Sequence, residues 1–274
     1  MPCPDHSRER GVTLIEMVIV IAITAIIAGA VAVFISRPVE GYADAARRAE
    51  MTDIADTALR RITRDLRTAL SNSIRTATVS GVAYLEYLQS SGGGRYRTEH
   101  DNGGGGNILD FTIADPDGFD VIGPMPTLAA GDSIVIYNLV ASGTTANAYV
   151  GDNRAAVDVA ASTATTIALA AATKFPFPSP GRRFQVVQSA VTYACNPATG
   201  ELRRYWGYGI VDPQPTPPAI GSNALLATGV TACSFTYVTS GAAQRMGVVM
   251  LSLKIQQGLE SIQLFQQVHV TNVP

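Results

Sequence analysis

Hydrophobic positions fall into three regimes along this 274-residue chain. From Val12 to Ile35 the sequence reads VTLIEMVIVIAITAIIAGAVAVFI, apolar on every face and carrying one charge, Glu16. As a helix this run would extend roughly 36 Å at about 1.5 Å per residue, enough to cross a hydrocarbon layer of about 30 Å. A helix apolar all round is buried or in a membrane. Arg37 and Pro38 mark its end, and Pro38 is expected to bend or interrupt the helix because it lacks an amide donor.

The second regime has helical period. Met51, Ile54, Ala58, Ile62, Leu66, Leu70 and Ile74 recur in steps of three and four, which is one apolar stripe. Charged residues, among them Arg47, Asp53, Asp56, Arg60, Arg64 and Asp65, fill the other faces. Asp56 and Arg60 stand at a favourable helical spacing, and Arg60 and Arg64 at an unfavourable one. The pattern predicts an amphipathic helix from about Tyr42 to about Arg75.

In the third regime, from Thr76 on, short β-branched runs alternate with Gly, Pro, Asn and Asp clusters. Strands are expected at Val82–Leu88, Ile108–Ile113, Ser133–Leu139, Thr166–Ala170, Phe184–Ala194, Leu202–Tyr208, Ala232–Val238, Gly247–Gln256 and Ile262–Val270. Hairpin turns are expected at Asn196–Gly200 and near Gly258. Val249, Leu251, Leu253 and Ile255 alternate with polar or exposed partners, the mark of a sheet with one buried face. The glycine-rich stretch Ser90–Asn107 predicts a flexible surface loop. Strands following one long helix give an α+β fold class, divided as 1–11 leader, 12–36 membrane and assembly helix, 37–76 amphipathic helix and 77–274 β-rich globular domain.

Composition changes this picture little. The formal net charge is −2, so no basic excess points to nucleic acid; the segment RRITRDLR is basic but diluted by Asp65 and its acidic neighbours. The three histidines are scattered. No serine nucleophile elbow, phosphate-binding loop or zinc spacing occurs. No enzyme activity and no cofactor are expected. Asp115, Asp117 and Asp120 in DPDGFD offer calcium-ligating oxygens, but the twelve-residue loop with its terminal glutamate is missing, and a turn is the plainer reading. Cys195 and Cys233 remain if the N-terminus carrying Cys3 is removed. An even pair in an exported domain favours a disulfide over two free thiols, closing a loop worth about 4 kcal/mol.

Glu16 is the informative residue. A carboxylate in lipid is costly and ordinarily has a partner. Cleavage between Gly11 and Val12 would create one: the new α-amino group of Val12, one helical turn away, on the same or a neighbouring copy. An ordinary secretory signal cut after the small residues Ala28–Ala30 is the competing reading, and it leaves Glu16 unexplained.

RERG-VTLIEMVIVIAI resembles the leader of type IV prepilins and type II secretion pseudopilins. The resemblance implies peptidase cleavage after Gly11, N-methylation of Val12 and subunit docking by Glu16. It departs from the commonest pattern in having valine at the new terminus and a weakly basic leader. It also implies a type IV pilin-like fold, in which the amphipathic half-helix packs on a sheet. The expected partners are other major and minor pilins, prepilin peptidase, the inner-membrane assembly platform and membrane lipid. The expected location is the bacterial inner membrane, single-pass, with the globular domain in the periplasm before incorporation into a fibre. The later helix, VTYACNPATGELRRYWGY and the closing VHVTNVP look like the O-type minor pilins of mannose-sensitive hemagglutinin pili. The J-type minor pseudopilins of type II secretion and a plain anchored binding module are the alternatives.

Overall fold

The computed structural model describes residues 11–115, 117–239 and 246–274, with backbone alone at 36–40. The chain forms two compact units, Met1–Glu50 and Met51–Pro274. Residues 1–10 of the expected leader, with Cys3 and His6, lie outside the described residues.

Helix α1 runs Leu14–Leu66. Of the bend or interruption expected at Pro38, the interruption does not occur: the helical backbone is continuous there, because proline removes one amide donor and leaves the neighbouring backbone bonds in place. It does end earlier than predicted, nine residues before Arg75. The reason lies in TALSNS. The Thr68 amide and hydroxyl both donate to the Asp65 carbonyl, the Ser73 hydroxyl donates to the Leu70 carbonyl, and Asn72 takes a left-handed φ of 58°. Short polar side chains here offer the backbone partners that compete with the helix. The chain then turns into a strand where the periodicity read helix.

Among the described residues twelve strands follow, all antiparallel in their pairings. Strands β1 (Arg75–Val79) and β2 (Val82–Tyr96) form a hairpin through Ser80 and Gly81. Both turn residues have positive φ, the geometry that suits strand twist in a two-residue turn. Next come β3 (Phe119–Ile122), β4 (Ser133–Ile136), β5 (Arg154–Asp158) and β6 (Thr166–Leu169). After them come β7 (Arg183–Asn196), β8 (Glu201–Trp206) and β9 (Ser222–Ala227). A separate sheet is made by β10 (Val230–Thr239), β11 (Met246–Gln257) and β12 (Glu260–Thr271).

Strand β7 organises the larger sheet. Along its length it pairs with β2. On its other edge, Phe184–Val187 pairs with β4 and Val191–Asn196 pairs with β8. The order β2-β3-β6-β5-β4-β7, closed by the β2–β7 pairing, is a small six-stranded ring. Its own core holds Tyr96, Phe119, Phe175 and Phe184, with the Phe119 and Phe184 rings edge-on at 5.3 Å. The stretch Ser90–Tyr96 is therefore strand, not the loop that its glycines predict. Glycine is required there by close packing: a Cβ at Gly94 would meet the Phe184 ring at 2.9 Å, and one at Gly93 the Phe184 carbonyl at 2.5 Å.

The second core lies between the two sheets and α1. Met51, Ala55, Ala58, Leu59, Ile62 and Leu66 are buried against Leu85, Tyr87, Val191 and Tyr193 of the larger sheet, and against Val249, Leu251 and Ile255 of the smaller. Two polar clusters sit at its margins. Asp65 accepts from Arg204 Nε at 2.8 Å and from the Tyr193 hydroxyl at 2.7 Å. Glu86, fully buried, pairs with Arg75 and accepts from the Tyr208 hydroxyl at 2.7 Å. Burial raises the Glu86 carboxyl above its ordinary range, with the Arg75 charge opposing. The fold is α+β and type IV pilin-like, a long N-terminal helix with its second half packed on antiparallel sheet.

Candidate functional site

The site is the start of α1. Gly11, Val12 and Thr13 precede the helix in irregular backbone, and all three are exposed. A Cβ at Gly11 would meet nothing within 4 Å, and its φ lies outside the left-handed range. The fold therefore does not demand glycine at this position. Val12 is 65 % exposed.

Thr13 caps the helix. Its hydroxyl oxygen accepts the Glu16 amide at 3.4 Å, and its carbonyl accepts the Met17 amide at 3.2 Å. Glu16 is thus the third helical residue of a Thr-x-x-Glu sequence, the capping-box spacing, and an acidic residue there complements the partial positive charge of the helix start. Reading Glu16 only as a docking residue overlooks this role, although the TLIE spacing signals it. The Glu16 side chain is exposed, and among the described residues it has no cationic partner.

Leu14–Ile35 is a candidate membrane span of 22 residues with mean hydropathy 3.0 and no part buried against the rest of the chain. Leu14, Ile26 and Phe34 are all more than 70 % exposed. Such a surface needs lipid or other helices to cover it. Beyond it, Asp44 pairs with Arg47, and Asp56 receives Arg60 Nε at 2.6 Å.

The other candidates lie elsewhere. Cys195, at the end of β7, and Cys233, in β10, form a disulfide joining the two sheets, 38 positions apart in sequence. The aspartates of DPDGFD do not make a metal cage. Asp115 is buried and accepts the amides of Asp110, Asp117 and Gly118. Asp120 accepts the Asn107 amide and the Thr166 hydroxyl and faces Arg97, and Asp117 is exposed. Backbone amides thus take up the oxygens that a cation would need. Among the described residues no three His, Cys, Asp or Glu side chains come together as metal ligands.

Residues 6–32 match the model of the prokaryotic N-terminal methylation motif. No curated protein and no solved structure matches the chain. The matched residues take in the Gly11–Val12 bond, the Thr13 cap, Glu16 and most of the exposed apolar span. The chain thus carries a type IV prepilin-like N-terminus on an α+β domain of type IV pilin-like fold.

Proposed function

We propose that this chain is a minor pilin: a low-copy, non-enzymatic subunit that initiates, caps or supports assembly of a type IV fibre, of the mannose-sensitive hemagglutinin type. The observation that carries the reading is the set Gly11, Val12 and Glu16 at the mouth of an uncovered, membrane-length helix. A Cβ at Gly11 would meet nothing within 4 Å, as suits a residue whose identity is required by a peptidase and not by the fold. Cleavage after it frees the Val12 amine, and N-methylation keeps that amine positive. Val12 and Glu16 are one turn apart, so the helix of one subunit presents an amine and a carboxylate at the depth where a neighbouring helix presents the same two groups. In hydrocarbon, each charge is held far better by its opposite than alone. In this reading the chain is anchored in the inner membrane by its apolar helix, with the β-rich domain in the periplasm until incorporation; the uncovered membrane-length span supports it.

The deciding measurement is the mature N-terminus, by intact mass and terminal-peptide mass spectrometry of protein from its native bacterium. N-methylated Val12 is the expected result. A start near Val31 without methylation would refute prepilin processing. Glu16 has two roles, and two substitutions separate them. Glu16→Gln keeps the capping-box geometry and removes the charge; Glu16→Ala removes both. Both variants should be cleaved normally yet fail to enter fibres, and normal incorporation of Glu16→Gln would eliminate the docking role. Deletion should abolish pili; loss of enzyme secretion with intact pili would place the chain among J-type pseudopilins instead.

A further inference from the structure

A charged arrangement in the β-rich unit is unexplained by anchoring or assembly. Arg95 on β2 and Arg183 on β7 are directly opposite in the antiparallel register. Like charges directly opposite on neighbouring strands repel. Both are exposed, and among the described residues neither has a carboxylate partner; the same holds for Arg67, just past the end of α1. The neighbouring Arg97 and Arg182 differ, since they pair with Asp101 and Glu99.

The three unpaired arginines lie along one continuous groove. One stretch, of 420 Å³, is lined by Arg95, Arg183, Ser90, Gln185 and the bare backbone of Gly92–Gly94. The adjoining stretch, of 530 Å³, shares Ser90, Gly92, Arg183 and Gln185 and continues past Ser91 to Arg67 and His269. Among the described residues no acidic side chain lines either stretch. Irregular register in β2 on both sides of Ser90 re-aims this strand beside the groove. Gly94 faces the ring core, whereas Gly93, on the opposite face beside Gln185, leaves bare backbone next to Arg95.

We propose that this groove binds an extended chain of carboxylated sugars, a uronic-acid polysaccharide. Guanidinium groups match carboxylates in fork geometry. The hydroxyl and amide side chains between them both donate and accept, which fits a ligand rich in hydroxyls. A nucleic acid fits less well. Three arginines fall short of the 6–10 phosphate contacts of a duplex binder, and among the described lining residues Phe184 is buried in the ring core, which leaves the single exposed imidazole of His269 as a stacking surface where single-strand binders use several aromatic rings. A bound carboxylate between Arg95 and Arg183 would also relieve their repulsion.

The test uses the full-length chain in detergent micelles, with polygalacturonate as the probe, neutral dextran and duplex DNA as comparators, and calorimetric titration at low salt. Polygalacturonate should bind, dextran should not, and duplex DNA should compete poorly. Arg95→Gln with Arg183→Gln should weaken polygalacturonate binding at least tenfold. The same double variant should melt no lower than the parent without ligand, and up to about 2 °C higher, because it removes a repulsive pair. That second reading separates loss of a site from loss of the fold. Absence of polygalacturonate binding, equal binding by the double variant, or equal displacement by duplex DNA or polyglutamate would each overturn the proposal.

Discussion

The disulfide between Cys195 and Cys233 makes the sharpest quantitative prediction. The bond closes a segment of 38 positions containing β8 and β9, and it ties the larger sheet to the smaller across the core that houses the second half of α1. In the chain-entropy account a loop of this length restricts the unfolded chain by about 4 kcal/mol. That is a large fraction of the stability of a typical domain, about 5–15 kcal/mol. Replacing both cysteines by alanine removes the link without leaving a thiol, and it costs little packing volume at Cys195. Trp206, the one tryptophan, sits half-buried in β8 inside the closed loop, with the Arg204 guanidinium 5.0 Å from its ring. Its fluorescence reports unfolding of the β-rich unit and is silent for the membrane span. Urea titration in micelles should therefore show the double alanine variant less stable by about 4 kcal/mol. A loss below about 1 kcal/mol would refute the loop-closure reasoning, because the variant would then unfold from nearly the same ensemble as the parent.

Other consequences are measurable with the same optical signal. Asp65→Ala leaves Arg204 buried without its carboxylate and should cost about 3–5 kcal/mol; adding Arg204→Met should recover most of it, and no recovery would mean that the Tyr193 contact dominates. Glu86 binds its proton more tightly folded than unfolded, so its contribution is fully present below the unfolded value near 4.5 and declines as pH rises through the raised folded value. The stability of the parent relative to Glu86→Gln should accordingly fall with rising pH across that window; a rise would show that the Arg75 pairing outweighs burial. Gly118 has φ +85°, and a Cβ there would stand 1.9 Å from the Ile167 carbonyl. Gly118→Ala should therefore part β3 from β6, cost about 1–3 kcal/mol, and speed hydrogen exchange of the β6 amides.

Much of this architecture was legible because burial imposes a period. The stripe from Met51 to Leu66 and the alternation from Val249 to Ile255 report two faces of one core, and both hairpin turns announce themselves by glycine after a polar residue. The misses share another cause. Phe119–Ile122, Arg154–Asp158 and Ser222–Ala227 each carry Asp, Arg, Ser or Asn within a strand that has no long β-branched run, and Arg75–Val79 continues a helical pattern that the polar residues after Leu66 break. Ile108–Ile113 has strand composition but no neighbour to pair with in the sheet. Ser90–Tyr96 reads as loop because its glycines Gly93 and Gly94 answer to Phe184, a residue far along the chain. At the N-terminal site, the spacing of Gly11, Val12 and Glu16 was plain in sequence, whereas the capping by Thr13, which the TLIE spacing signals, goes unread until the helix boundary fixes it. The opposed arginines could not be foreseen, since they depend on strand register.

The six-stranded ring is entered from Arg95–Tyr96 and left at Arg183–Phe184, and these two points are hydrogen-bonded neighbours. Everything from Arg97 to Arg182 is thus one excursion between two paired strand ends. It is not a free appendage: β4 pairs with β7, the Asn138 side-chain amide and the Tyr149 hydroxyl donate to the Ser71 and Ser73 carbonyls, and Val135 and Tyr149 share a core with Leu70, Leu88 and Ala190. A substitution on the β4 side of the excursion is therefore felt by the segment that ends α1, so the helix end and the ring constrain one another's sequence.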